Sequence, residues 1–200
     1  MKKVYFAQRL LAYVIDIIIV TSVVALLTSL IPRSESYNIA SDKIYDEYVD
    51  IIQNSENTED MLEKFDALQG DLYIIGKEES ITSLLSVALY IVYYGACQYY
   101  LNGQTLGKKV TKIKIVGKKK KEVSQVKFLL RAVLTYTLFG NVFEAIIDNV
   151  ANSTTYIYFL TPFISLGYLY NIINIGMVVF KKDGRGLSDL ICDTEVISAE

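Results

Sequence analysis

Asp16 is the only charged residue in the apolar segment from Leu10 to Ile31. As a helix this segment would be about 33 Å long, enough to cross a hydrocarbon core of about 30 Å. A carboxylate at that depth costs about 2.5–3.5 kcal/mol on insertion scales, so its presence predicts a partner or a function. Arg9 lies two helical turns earlier on the same face of the predicted helix.

The residues of most catalytic sites are missing from this sequence. The chain has no histidine, which removes the commonest general base, proton shuttle and metal ligand. Its two cysteines, Cys97 and Cys192, are too few and too far apart for a disulfide framework or a metal site. We therefore expect no enzyme activity, no catalytic residue, no metal, no cofactor and no nucleic-acid partner.

Four apolar segments predict transmembrane helices. The 200-residue chain is 52% hydrophobic, and its mean hydropathy is +0.31. The segments cover residues 10–31, 81–101, 126–147 and 155–180. The first is too long for the apolar core of a signal peptide, and no small-residue cleavage site follows it. The sequence thus predicts an all-α membrane protein with one membrane domain over residues 1–200.

The charges between these segments predict the orientation of the chain. Residues 32–79 carry 13 acidic and four basic residues, whereas residues 102–125 carry eight lysines and one glutamate. Because positive residues remain on the cytoplasmic side, we expect the basic loop and both termini to be cytoplasmic. Residues 33–79 then form an extracellular acidic insertion, and the helical spacing of their apolar residues predicts two short helices.

The basic loop over residues 102–125 predicts a strand. Residues 110–116 alternate apolar and basic side chains, which is typical of a β-strand. A strand needs a partner on the same side of the membrane, and residues 194–197 are the best candidate. The loop also contains a run of four lysines that we expect to attract anionic lipid headgroups: Lys118, Lys119, Lys120 and Lys121.

Several motifs, taken in order, resemble those of the RDD family of bacterial membrane proteins, which is named for one arginine and two aspartates. They are Phe6-Ala-Gln-Arg9 through Asp16, Gly103-Gln-Thr-Leu-Gly107-Lys, Arg131 at the start of the third helix, and Arg185-Gly-Leu-Ser-Asp189. By resemblance, Arg9, Asp16 and Asp189 are the name-giving triad. Ser188 stands where the family commonly has histidine, so a role that needs an imidazole there is absent.

The resemblance implies a multi-pass protein of the bacterial plasma membrane. The family is usually described as transporting an unidentified ligand, and cation/proton antiport is suggested for some members. Because four helices are few for a complete pathway, transport also implies a homodimer or an accessory membrane partner. The alternative is a membrane scaffold or accessory subunit that transports nothing.

Arg131 is the natural partner for Asp16, because its predicted helix also starts at the cytoplasmic face and its side chain reaches a similar depth. Asp189 could accept from Arg9 or from backbone amides of the basic loop. Two interpretations stay open. In one, Asp16 binds a cation or a proton and Arg131 or Arg9 competes for the same carboxylate. In the other, these charges form a permanent buried ion pair that fixes the register of the helices.

Further polar residues lie within the predicted third and fourth helices. Asn141 and Glu144 share one face of the third, and Asn171 and Asn174 lie three residues apart on the fourth. Together with Asp16 they could hydrate a path through the membrane. Alternatively, the amides bridge neighbouring helices, at about 0.6 kcal/mol for each bond.

Overall fold

The computed structural model describes residues 4–118 and 122–199, and it is mostly helical with one small sheet. In chain order the elements are α1 (Phe6–Thr28), α2 (Glu35–Asn54), α3 (Thr58–Ala67), α4 (Gln69–Tyr90), a π-helix (Ile91–Cys97), α5 (Gln98–Tyr100), α6 (Leu106–Val110), β1 (Ile113–Gly117), α7 (Gln125–Thr135), α8 (Leu138–Val150), α9 (Tyr156–Phe180), α10 (Leu187–Ile191) and β2 (Thr194–Ser198).

Three helices are long and apolar enough to cross a membrane. They are α1, the continuous helix Gln69–Tyr100 and α9, and the described residues give a fourth span if α7 and α8 count as one broken span. The second helix begins 12 residues before the predicted segment, because the end of the acidic insertion continues into it without interruption. Large apolar side chains cover the outer faces of α1 and α9, as lipid-facing helices require.

The third predicted span is not one helix over residues 126–147. It is divided into α7 and α8, whose axes differ by 68°. Thr137 lies at the break with a φ of 51°, in the left-handed region that β-branched residues rarely adopt. Its hydroxyl donates to the carbonyl of Tyr136 at 2.8 Å and thereby satisfies one backbone group that the break exposes.

The acidic insertion contains the two predicted helices, α2 and α3. Ser34 caps α2 by accepting from the amide of Tyr37, and Asn57 caps α3 by accepting from the amides of Glu59 and Asp60. A 2.6 Å ion pair joins Lys43 of α2 to Asp71 of α4. The insertion is therefore tied to the second membrane helix. We call this end of the helical bundle the insertion end.

The opposite end carries the two-stranded sheet and is called the sheet end. β1 and β2 pair antiparallel, with Ile115 opposite Val196, so the predicted pairing of residues 110–116 with residues 194–197 is confirmed apart from a shift of the first strand to Ile113–Gly117. Between the two ends, buried Tyr94 packs with Val20 and Ala132, which joins the π-helix to α1 and α7.

Candidate functional site

Asp16 is buried at the sheet end and accepts hydrogen bonds on both carboxylate oxygens. Oδ1 accepts from the hydroxyl of Tyr93 at 2.6 Å and from the backbone amide of Gly107 at 2.8 Å. Oδ2 accepts from the hydroxyl of Thr105 at 2.5 Å and lies 3.9 Å from the ammonium of Lys108. A carboxylate offers about four lone-pair positions, so these three hydrogen bonds use most of the acceptor capacity of Asp16.

The short helix α6 brings three of these donors to Asp16. Thr105 is its N-cap, and its hydroxyl accepts from the amide of Lys108 at 3.4 Å. Gly107 lies so close to α1 that an added Cβ would come within 2.3 Å of the carbonyl oxygen of Ala12. Glycine at residue 107 thus allows the backbone contact through which Asp16 holds the loop.

Asp189 is the second buried carboxylate, and it is surrounded by arginines. Nε of Arg131 donates to Oδ1 at 3.0 Å and its Nη2 lies 2.9 Å from the same oxygen, while Nη1 of Arg9 lies 3.4 Å from Oδ2. The hydroxyl of Thr194 donates to Oδ1 at 3.2 Å, and the amide of Gly186 donates to Oδ2 at 3.3 Å. Asp189 therefore joins α1, α7, α10 and β2, and its lone pairs are taken.

Additional contacts hold the C-terminal segment against the membrane helices. Arg9 donates to the carbonyl of Gly184 at 2.6 Å. The guanidinium of Arg185 donates to the carbonyl of Thr194 at 2.8 Å and to that of Asp189 at 3.1 Å. In α9, Asn174 accepts from the amide of Ser188 at 3.1 Å and so caps the start of α10.

The surroundings of the site lower the pKa values of both Asp189 and Lys108. Burial acts to raise the pKa of Asp189, but the guanidiniums of Arg131 and Arg9 outweigh it and lower that pKa below the ordinary value of 3.8. The pKa of Lys108 falls from 10.5 to about 7, chiefly because the ammonium is buried and also because Arg131 is near. Lys108 thus titrates near neutral pH.

The predicted pairing of Asp16 with Arg131 or Arg9 is replaced by a different one. Both arginines contact Asp189, and Asp16 contacts Lys108 together with neutral donors. The physical reason is that α6 lies against α1 and delivers its N-terminal donors to Asp16. Of the two partners suggested for Asp189, the structure places Arg9 beside it and brings the amides of the basic loop to Asp16 instead.

A cavity of about 270 Å³, here called the network cavity, joins the two carboxylates. Both of them line it, as do three cationic side chains: Arg9, Lys108 and Arg131. Its remaining wall is largely apolar and comes mainly from α1 and α9.

A second cavity of about 280 Å³, the middle cavity, adjoins the first and extends toward the insertion end. Thr21, Ser86 and Asn141 line it, and so does the break between α7 and α8. The two cavities share four lining residues: Tyr13, Thr135, Tyr136 and Asn171. They are therefore neighbouring parts of one polar interior.

Three of the four polar residues predicted to hydrate a path line at least one of these two cavities. Asn141 and Asn171 line the middle cavity, and Asn174 lines the network cavity. Glu144 is half-buried and lines neither of these two cavities in the described part of the chain. Of the four lysines predicted to meet lipid, Lys118 is exposed, and residues 119–121 lie outside the described residues.

Sequence reasoning missed Tyr93, Thr105, Lys108 and Thr194 as members of the site. Thr105 and Lys108 belong to the glycine-rich motif, and threonine is one of the residues that commonly cap the start of a helix. Tyr93 gave no comparable signal, because many tyrosines surround it in the sequence. Among the described residues, no group of three or more Asp, Glu, Cys or His side chains could hold a metal ion.

A family model described as the RDD family matches residues 4–193 of the chain. The match extends from just before α1 to the residue before β2, and it includes every residue that contacts Asp16 and all but one of those that contact Asp189. No curated protein and no solved structure matches the chain.

Proposed function

Because this chain belongs to the RDD family, we propose that it takes part in moving a small ligand or an ion across the membrane through the network cavity and the middle cavity. The observation that carries the proposal is the shared wall of the two cavities at Tyr136 and Asn171. Together they form a polar route from the charged sheet end toward the centre of the bundle.

The broken span supports the same proposal. Irregular backbone at membrane depth is tolerated where it lines a cavity, and transporters commonly use broken helices in this way. The break between α7 and α8 lies beside the middle cavity, because Thr135, Tyr136, Thr137 and Leu138 all line it. This break is the natural position for a group that passes between the cavities.

In this proposal Asp16 is a positioning residue rather than the first ligand of a cation. Three hydrogen bonds from donors of the α6 segment and the π-helix engage both of its oxygens, so a cation bound by the two oxygens would have to displace donors. Asp16 then holds α6 over the network cavity, and the release of α6 would open the cavity at the sheet end.

A membrane scaffold is the second candidate function. It is favoured by the complete satisfaction of Asp16 and Asp189, which is what a permanent structural network requires. In that case the cavities would be packing defects between the helices, and the network would fix the register of α1, α7 and α10.

The proposal includes an orientation and a location. We assign the lysine-rich sheet end to the cytoplasm and the acidic insertion to the outside of a bacterial plasma membrane, because eight lysines lie between residues 102 and 125. A homodimer or an accessory membrane protein would complete the pathway.

Flux into proteoliposomes tests the proposal. Wild type should carry one of sodium, potassium, protons or a small anion, and Asn141→Leu should abolish that flux because it replaces a polar side chain of the middle cavity with an apolar one. Asn149→Leu is the matched control, since Asn149 lies on the same helix but is exposed and lines neither cavity.

The scaffold candidate makes the opposite prediction. If the folded wild-type protein gives no flux of any of these ions, or if Asn141→Leu and Asn149→Leu give equal flux, the route through the cavities is wrong. Circular dichroism and gel filtration of the same samples show whether each variant is folded.

A further inference from the structure

The network cavity has more positive groups than negative ones. Among the described residues, Arg9, Lys108 and Arg131 line it together with two carboxylates, Asp16 and Asp189. When Lys108 is protonated, the formal surplus is one positive charge. Because an unpaired charge is costly away from water, this surplus favours a negatively charged occupant.

The cavity also has more unused hydrogen-bond donors than unused acceptors. Asp189 accepts four hydrogen bonds from protein donors, and Asp16 accepts three. Lys108 has three N–H donors, but its described contacts are only Thr105 Oγ1 at 3.3 Å, the 3.9 Å pair with Asp16 and the ring of Tyr94, 5.7 Å from the ammonium. The cavity therefore has more unused hydrogen-bond donors than unused carboxylate acceptors.

Arg9 and Arg131 supply further unused hydrogen-bond donors. The described hydrogen bonds of Arg9 use Nη1, that of Arg131 uses Nε, and Nη2 of Arg131 forms an ion pair with Asp189. A guanidinium carries five N–H groups, so each arginine keeps donors that these bonds do not use. Phosphate and carboxylate oxygens match such groups in charge and geometry, whereas a metal cation would find its oxygen ligands already occupied.

The rim of the cavity is apolar and faces outward. Phe6, Leu10 and Ile175 line the cavity and are 42, 48 and 54% exposed. They belong to α1 and α9, both of which are long and apolar enough to span a membrane. A hydrocarbon chain could lie along this rim while a charged group occupies the interior.

From these contacts we propose that the network cavity binds the anionic head group of an amphiphile, a phosphate or a carboxylate, with Arg9, Lys108 and Arg131 as donors and the hydrocarbon chain between α1 and α9. The inference names a ligand class for the cavity of the proposed function, but binding does not require transport. It is measured here without flux, so the two proposals can fail separately.

The ionisation of Lys108 agrees with this assignment. Burial lowers the pKa of Lys108 to about 7, and an anion beside it would raise that pKa again. Charged and titratable groups surround the ammonium from every neighbouring element: Arg9 and Asp16 of α1, Tyr94 of the π-helix, Arg131 of α7, Tyr136 just after α7, and Asp189 of α10.

Native mass spectrometry of the full chain in a neutral detergent tests the proposal. The probes are phosphatidylglycerol, a fatty acid, phosphatidylcholine and inorganic phosphate. We expect adducts with phosphatidylglycerol or the fatty acid at a Kd at least tenfold below that for phosphatidylcholine. Lys108→Gln should weaken the anionic adduct about tenfold. Lys109→Gln, the exposed neighbour on the same helix, should change it less than twofold.

Equal effects of Lys108→Gln and Lys109→Gln would overturn the proposal, as would equal binding of phosphatidylcholine. If inorganic phosphate binds and both anionic amphiphiles do not, the assignment to an amphiphile is wrong. Should Lys108→Gln fail to fold, the wild type supplies the test. Its adduct with phosphatidylglycerol should weaken several-fold from pH 6 to pH 9 as Lys108 loses its proton, and an unchanged adduct would contradict the inference.

Discussion

At the scale of single residues, Asp16 and Asp189 are both buried but have different surroundings. Asp16 is held by two hydroxyls, one amide and a lysine, whereas Asp189 is held mainly by two guanidiniums. Removing a carboxylate therefore leaves different groups behind. At Asp16 these are mostly neutral donors, and at Asp189 they are permanent charges.

Asp189→Asn should lower the free energy of unfolding by about 3–5 kcal/mol, because it leaves Arg131 and Arg9 buried without their counter-charge. Asp193→Asn is the control. That carboxylate is 54% exposed and pairs with Arg185 at 3.5 Å, so its loss should change stability by about 0.5 kcal/mol or less. Denaturation in detergent followed by circular dichroism measures both, and a similar small change for both variants would contradict the assigned role of Asp189.

At the scale of elements, α10 is too short to be stable alone and depends on its contacts with other elements. Asn174 of α9 accepts from the amide of Ser188, and an added Cβ at Gly186 would lie 2.6 Å from the Asn174 side chain. The start of α10 therefore fits closely against α9. Cys192 follows α10 and is only 1% exposed, so its thiol reports on this packing.

Asn174→Ala should increase the rate of maleimide labelling of Cys192 about tenfold, because an unsatisfied buried amide costs about 1–3 kcal/mol. In the intact protein, labelling is slow since the thiol is buried and burial raises its pKa. The measurement uses a Cys97→Ala background, which removes the second thiol. Asn149→Ala, an exposed asparagine of α8, is the control, and equal rates in the two variants would show that Asn174 does not hold α10.

The sequence predicted most accurately those helices and strands whose pattern of apolar residues lies within one continuous segment. Apolar length located α1 and α9 within a few residues, and alternation located β1, because both patterns are set by burial along one segment. No proline lies at the bend between α7 and α8. Residues 125–150 contain one glycine, Gly140, which comes three residues after Thr137. A left-handed threonine is imposed by tertiary packing, so the local sequence could not reveal it.

The same distinction applies to the site. Charge and depth identified Asp16, Arg9, Arg131 and Asp189, but not which of them pair. The pairs depend on where α6 and α10 lie, and contacts such as Thr105 with Asp16 join residues 89 positions apart. Depth in a membrane helix alone could not distinguish Arg131 from Lys108 as the nearest cation to Asp16.

At the scale of the whole molecule, buried Lys108 makes global stability depend on pH. Its pKa is about 7 in the folded protein and 10.5 ordinarily, so between these values the unfolded chain binds more protons. Stability must then rise with pH over that range and level off above about 10.5. The direction is opposite to that of a group whose pKa is raised by folding.

We expect the free energy of unfolding of Lys108→Gln to rise less between pH 7 and pH 9.5 than that of wild type, since the variant lacks the group that titrates. Lys109→Gln should keep the wild-type slope because Lys109 is exposed. Denaturation of all three proteins in lipid-free detergent at several pH values provides the comparison. Parallel slopes for wild type and Lys108→Gln would show that Lys108 stays protonated in the folded protein.

The long sequence separations within the network impose an order on biosynthesis. Asp16 leaves the ribosome before Tyr93, Thr105 and Gly107, which follow it by 77, 89 and 91 residues. Arg9 precedes Asp189 by 180 residues. When α1 enters the bilayer before these partners are synthesised, Asp16 costs about 2.5–3.5 kcal/mol, and the apolar residues around it must offset that cost alone. The helix is long and apolar enough to cross a membrane despite this residue.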